Sequence, residues 1–586
     1  MHADLILTNG RVHTMDAARP RAEAVAVTGN RILAMGRAAD ITPLRGPQTQ
    51  VIDLGGRTLL PAFADSHVHF VKYALARQRM ALSATRSAEE VATIVAQRAA
   101  STPPGHWLRG SGWDRNVWRD TTLPTKTLLD AAAPDRPVAL DSKDLHSLWV
   151  NSPALAQAGI TAATPDPPGG VIVRDPHTGE PTGILLERAC KLVSRVYPPP
   201  TLETCAEAIR ATIPLAWAAG ITSIHQMGDA PDGRAFRAFQ LLNQRGELGL
   251  RVLTYLPREN LDAAIAVGLR SGFGDRRLRI GGVKLFADGS LGSHTAWMLE
   301  PFQDEPHNRG VGWLEPEELQ ELVRQASCAG LSVAVHALGD RANREVIEAI
   351  AAARRAENQT PPPARGRLGG GGGYDAGSTP PNETLLDFRS EGSPSPNPSL
   401  RGRGNPLRHR IEHVQLLHPD DIPRLARYRI IASMQPTHCP ADMAMADLHW
   451  GEPRCASAYA WRSLLDAGVV LAFGSDAPVE SLDVLPGIHA AVTRRRADGS
   501  PGPGGWHPEQ RLRVAEAVHG YTLGAAYAAG EERWRGSITP GKLADLVVLS
   551  DDIFASEPMD ILAARVAITI FDGRLVYSRQ GEGVRG

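Results

Sequence analysis

Eight short apolar runs, separated by segments of helical character, occupy the middle of this chain: Thr58 to Ala62, Ile221 to His225, Arg251 to Tyr255, Ile280 to Phe286, Ser332 to His336, Arg410 to His413, Ile430 to Met434 and Val470 to Ser475. An apolar run followed by a helix reads as a βα unit of a parallel sheet, and eight such units close a (β/α)8 barrel. The helices fit the gaps. EPEELQELVRQASCAG and SAYAWRSLLDAG both end at a glycine, as a helix C-terminus favours. The fold class expected is therefore α/β, a (β/α)8 TIM barrel.

The two ends of the chain have a different texture. ADLILTNGRVHTM and AEAVAVTGNRILAMG near the start, and ADLVVLS, VAITIFDG and RLVYS near the end, alternate apolar and polar residues around turn signals. They predict one small β-sandwich built from both termini, residues 1–57 and 531–586, around a barrel at 58–530. Two stretches break the βα rhythm. Residues 71–214, after the first run, are too long for an ordinary connection and read as an inserted, lid-like subdomain. Residues 357–406 contain PPP, five consecutive glycines and EGSPSPNPS, a composition that predicts a disordered loop between the fifth and sixth units.

Composition narrows the function classes. With 63 basic and 64 acidic residues the net charge is -1, so no broad attraction to nucleic acid or to an anionic membrane is expected. The five cysteines are scattered and form no C-x-x-C pair, which argues against a disulfide framework or a thiolate zinc site. No secretory leader and no apolar span of membrane length is read, so the chain is expected to be cytoplasmic. Gly536 to Leu543 almost spells a phosphate-binding loop, but Leu543 has no hydroxyl and the segment leads into a strand. No G-x-S-x-G nucleophile elbow occurs.

The strongest chemical signal is His67-Val68-His69. In an extended segment residues i and i+2 point to the same side, so both imidazoles can converge on one ion. His336, His413 and Asp476 stand at the ends of three other runs, and in a barrel those ends share one mouth. Taken singly, each histidine reads equally well as a packed core residue, and Asp476 as a helix N-cap. Their recurrence on four strands favours a shared site. Lys284 lies inside the fourth run, where an ammonium needs partners. It reads either as a lysine paired with an acid such as Asp288 or, after reaction with carbon dioxide, as an anionic ligand. Spacing does not choose between these. Trp113, His146, His225, Asp288, His294 and Arg341 are further candidates for shaping a substrate pocket.

HVH after the first run, KLFADGSLGS, VHALGD, RIEHVQ, SMQP, FGSDAP and the terminal GSITPGKLADLVVL together resemble the amidohydrolase superfamily, in particular its amidohydrolase-3 branch of YtcJ-like proteins and N-substituted formamide deformylases. The resemblance runs along nearly the whole chain, including the GSGWD and HSLWVN segments of the insertion. It implies that His67 and His69 are first-strand metal ligands, Lys284 a carboxylated bridging lysine, His336 and His413 ligands of a second metal, and Asp476 the last ligand and the general base. The chain departs from relatives at Pro61-Ala62-Phe63, where PGF is common, and at His225-Gln226, where Asp commonly follows the histidine.

The activity so implied is hydrolysis of a non-peptide carbon–nitrogen bond of a small molecule, an amide with N-formyl and cyclic amides among the forms. The cofactor expected is a divalent metal, zinc first, as two ions bridged by carboxylated Lys284. A mononuclear deaminase on the same fold is the rival enzyme, and a noncatalytic scaffold of the same fold the rival from another class. The expected partner is a small-molecule substrate, with no nucleic acid and no membrane; a homodimer stays open.

Overall fold

The computed structural model of the chain describes residues 2–120, 122–142, 147–167, 170–228, 232–292, 294–359 and 407–579. At its centre eight parallel strands form a nearly closed barrel: Phe63–Val68, Ile221–Gln226, Arg251–Pro257, Leu278–Phe286, Ser332–Ala337, Arg410–His413, Ile431–Met434 and Leu471–Phe473, paired in chain order. Helices follow the strands because their apolar positions recur at helical spacing. In Pro316–Cys328, Leu319, Val323 and Ala326 are buried, Pro316 opens the helix, and Glu317 and Glu318 favour its positive end. Gly330, at φ +81°, stands just past its end, in the left-handed conformation that glycine adopts without a steric penalty.

Seven of the eight apolar runs read from the sequence become barrel strands. The first is corrected. Thr58–Pro61 pairs antiparallel with Leu546–Leu549 in a sheet of the chain ends, and the barrel begins two residues later. The amide of Ala62 still donates to Asp545 O, whereas that of Phe63 donates to Gly220 O, so the chain changes sheets between adjacent residues. Both segments are fully buried, but Asp65, Ser66 and His67 interrupt the apolar pattern of the second, which is why the apolar run read from the sequence stops at Ala62.

The first and last strands meet through a seam built just beyond the last one. Asp476 N–H donates to His67 O at 2.7 Å, and His69 N–H to Ala477 O at 2.9 Å. Asp65 locks the seam, accepting from the backbone of His67 at 3.1 Å and of Ser475 at 3.0 Å, and from the Ser475 hydroxyl. Gly474 permits the approach, since a Cβ there would stand 2.4 Å from His67 N. The fold thereby sets Asp476 directly beside the His-Val-His segment.

Around this barrel lie three further sheets. Strands Arg31–Gly36, Ala24–Thr28, Ala3–Thr8 and Arg45–Asp53 make one; Arg574–Ser578, Val566–Phe571, Leu546–Leu549, Thr58–Pro61, Arg11–His13 and Arg21–Ala22 make another, in which the two ends of the chain meet. Leu5, Leu7, Val25 and Val27 of the first share one apolar core with Leu59, Leu546, Val548 and Ile568 of the second. The insertion forms the third sheet, six strands between Met80 and Glu187, with its own buried cores. Helix Leu202–Ala218 runs through Pro214, the expected end of the insertion. Its Ile209, Ile213 and Ala216 lie in the barrel core, so it is a barrel helix. Helix Asp340–Gln359 covers the start of the expected 357–406 loop; residues 360–406 and His146 fall outside the described residues. Among the described residues no helix is long and apolar enough to cross a membrane.

Candidate metal centre

His67, Lys284, His336 and His413 come from the carboxyl ends of the first, fourth, fifth and sixth strands, and His69 and Asp476 from just beyond the first and eighth. His413 reaches the group through its backbone. Its φ of +75°, followed by +49° at Val414, breaks the strand alternation that sends Arg410 and Glu412 to one side. The His413 ring centroid then stands 4.8 Å from that of His67 and 4.4 Å from that of His336. Asp476 Oδ1 lies 3.4 Å from His67 Nε2 and 3.6 Å from His69 Nε2.

Three of these histidines spend one ring nitrogen on an oxygen that can only accept. His67 Nδ1 donates to Glu412 Oε2 at 2.6 Å, His413 Nδ1 to Gln435 Oε1 at 2.8 Å, and His336 Nε2 to Gly289 O at 3.0 Å. The hydrogen is thus on the bonded nitrogen, and the other nitrogen carries a lone pair. His67 Nε2 is buried with no hydrogen-bond partner. Burial, reinforced by the Lys284 charge, pushes the imidazole pKa of His67 well down and that of His336 to about 3. Burial and the neighbouring His336 and His67 do the same for His413. Neutral rings held in one tautomer are what a divalent cation binds. The donor set therefore fits a metal, and one ligand atom from each of His67, His69 and Asp476 lies within 4.8 Å of the others.

Glu412 is itself held in place. Arg410, fully buried, grips both of its oxygens, reaches Ser66 O and Ser433 Oγ, and meets His225 Nδ1 at 2.9 Å. Burial alone would raise the Glu412 carboxyl, but the charges of Arg410 and Lys284 bring it below its ordinary value, so it stays anionic against His67. Burial pushes the Asp476 carboxyl up to about 6, opposed by His69 and Lys284.

The remaining candidates divide. His225 is fully buried and spends its Nδ1 on Arg410. Asp288 is also fully buried and accepts from the backbone of Trp297, Leu338 and Gly339 at 2.9 to 3.0 Å, pinning the loop after the fourth strand to the end of the fifth. Arg341 lays its guanidinium over the Trp297 ring at 4.6 Å. His294 pairs with Glu305, away from the central ligands. Trp113 packs with Trp118 and Trp149 in a core of the insertion, its indole nitrogen donating to Leu140 O at 2.8 Å. A buried, satisfied indole does not face a substrate.

His438 is the residue the sequence reading missed. It opens the helix His438–His449 after the seventh strand, and its Nε2, buried and without a hydrogen-bond partner, lies 3.9 Å from Asp476 Oδ2. One ligand atom from each of His413, His438 and Asp476 falls within 4.8 Å of the others. The available signal was its place four residues past an apolar run, the same logic that found Asp476. Glu412 and Arg410 were also missed, although two opposite charges at i and i+2 in a buried strand imply a pair facing inward.

Comparison with known proteins agrees with this geometry. The chain is 33% identical to the putative amidohydrolase YtcJ of Bacillus subtilis, covering 97% of this chain and 98% of that protein. It is 27% identical to the N-substituted formamide deformylase of Arthrobacter pascens, covering 99% of each. A crystal structure of an uncharacterized metal-dependent hydrolase from Pyrococcus furiosus superposes with a TM-score of 0.72 at 27% identity, over 94% of this chain and 99% of that one. The profile of the Amidohydrolase family matches residues 50–376 and 399–577, almost the whole length, and the chain belongs to that family.

Proposed function

We propose that the chain is a metal-dependent amidohydrolase that cleaves a non-peptide carbon–nitrogen bond of a small molecule. The observation that carries this reading is the set of three histidines that each give one nitrogen to a fixed acceptor, two of which, His67 and His413, bring a ligand atom within 4.8 Å of one on Asp476. His67, His69, Lys284, His336, His413 and Asp476 would hold two divalent ions. The mix of nitrogen and oxygen donors favours zinc. Lys284 would enter as a carbamate, formed when its neutral amine adds to carbon dioxide and loses a proton. An anion there would replace the ammonium whose charge now opposes the neighbouring imidazoles.

The chemistry a divalent ion supplies at such a site is acidification of water and polarisation of a carbonyl. The protein's own contribution is placement and proton transfer. Asp476 takes a proton at its carboxylate and returns it to the departing nitrogen, as general acid–base catalysis requires. Glu412 and Gln435 keep His67 and His413 in the ligating tautomer. The relative named N-substituted formamide deformylase directs the first assays to N-formyl amines.

The test is a panel of N-formyl amines, N-acyl amines and cyclic amides assayed on metal-reconstituted protein, with Asp476→Asn as control. Turnover of one class is expected, with a loss of about 10²- to 10⁴-fold in the variant. Equal activity in the variant removes Asp476 from the mechanism. Metal loading should rise with added bicarbonate if Lys284 becomes a carbamate; loading indifferent to bicarbonate would favour a mononuclear site.

A further inference from the structure

A second group of metal-binding side chains stands apart from the central ligands. His294 and Asp304 lie between the strand Leu278–Phe286 and the helix Pro316–Cys328, and His449 closes the helix His438–His449. One ligand atom from each of the three lies within 4.8 Å of the others. His449 Nδ1 is 2.7 Å from Asp304 Oδ2, and His294 Nδ1 is 2.7 Å from Glu305 Oε1. The two ring centroids are only 4.1 Å apart.

We propose that His294, Asp304 and His449, with Glu305 alongside, bind a divalent transition-metal cation, zinc in the first instance, which staples the loop after the fourth strand to the helix after the seventh. Two neutral imidazoles and two carboxylates together carry a charge that one divalent ion cancels. Two imidazole nitrogens and one carboxylate oxygen are a known set for tetrahedral zinc, with water in the fourth position. A carboxylate beside each ring nitrogen is also the arrangement that orients a ligating histidine.

The side chains are held ready. Gln303 N–H donates to His449 O at 2.7 Å, clasping the loop to the helix. Asn308 Nδ2 donates to His294 O at 3.1 Å and to Glu305 Oε2 at 2.6 Å, and the Phe302 ring stacks on His294 with centroids 5.2 Å apart. Asp304 and Glu305 remain partly open to solvent, which gives an ion a way in. The same loop carries Gly289, the acceptor for His336, so filling this outer site would stiffen one wall of the central one.

The experiment uses the full-length chain, stripped with chelator, reloaded with excess zinc, desalted and analysed for metal per chain. Wild type should retain one zinc more than His449→Ala and one more than Asp304→Ala, with unchanged circular dichroism. Because Asp304 is exposed, its variant keeps the test decisive if His449→Ala fails to fold. Equal zinc in wild type and Asp304→Ala overturns the proposal. The central reading fails separately: in that case the sole zinc of the wild type would be the one that Asp304→Ala removes.

Discussion

Arg251 and Asp545 join the barrel to the sheet of the chain ends through two hydrogen bonds, Nε to Oδ2 at 2.6 Å and Nη2 to Oδ1 at 3.0 Å. Arg251 opens the third barrel strand and also reaches Asp572 Oδ1 at 2.8 Å; Asp545 immediately precedes the strand Leu546–Leu549. Both members of the Arg251–Asp545 pair are buried. Removing one partner of a buried pair strands the other charge. Arg251→Met should therefore destabilise the chain by about 3–5 kcal/mol in urea unfolding, whereas Arg251→Met with Asp545→Leu should recover part of the loss. An unchanged unfolding midpoint in the single variant would show that the pair does not tie the two parts together.

Glu412→Gln removes the anionic acceptor of His67 and leaves the Arg410 guanidinium facing a neutral amide. Loss of such an orienting group lowers metal affinity by about 10- to 100-fold. Competition with a chromogenic chelator measures it directly. Affinity equal to wild type would mean that the His67 tautomer is set by something other than Glu412.

Trp113→Ala separates packing from substrate contact. Emptying a buried indole site costs about 3–5 kcal/mol, and the loss should fall on the insertion, seen as faster protease cleavage within residues 71–214 with KM little changed. A raised KM with intact protease resistance would put the indole at the substrate after all.

His489 sets a pH dependence remote from the metal centre. Burial, with a smaller push from Arg495, lowers its imidazole from 6.5 to about 4. The unfolded chain takes up the proton first as pH falls, so the stability held by the neutral ring is full above pH 6.5 and is lost between there and about 4. At pH 4 the loss is about 3 kcal/mol. In His489→Gln the urea midpoint should fall less steeply over that window; equal slopes would count against the buried neutral ring.

Much of the fold was legible because most barrel strands carry short apolar runs spaced by amphipathic helices. Thr58–Pro61 reads as the first barrel strand because it is the more apolar of two adjacent buried segments, and its pairing with another sheet leaves no mark on hydropathy. Position at strand ends picks out His67, His69, His336, His413 and Asp476 as candidates, whereas ligand roles, that of Lys284 above all, come only from the family resemblance. The outward-looking guesses fared differently: Trp113 and Asp288 carry polar atoms, but the structure spends those atoms on backbone groups. His438 carries a weaker signal because it begins a helix four residues beyond its strand rather than ending the strand itself.

The single-residue switch at Ala62 also makes the far end of the polypeptide a neighbour of the chemistry. Leu546–Leu549 zips onto Thr58–Pro61, and the same stretch of backbone, unbroken by any hinge loop, continues into His67 and His69. A deletion or fusion that disturbs the carboxyl-terminal strands is thus transmitted to the His67 and His69 imidazoles along one taut line, and should be designed as though it touched the candidate metal centre itself.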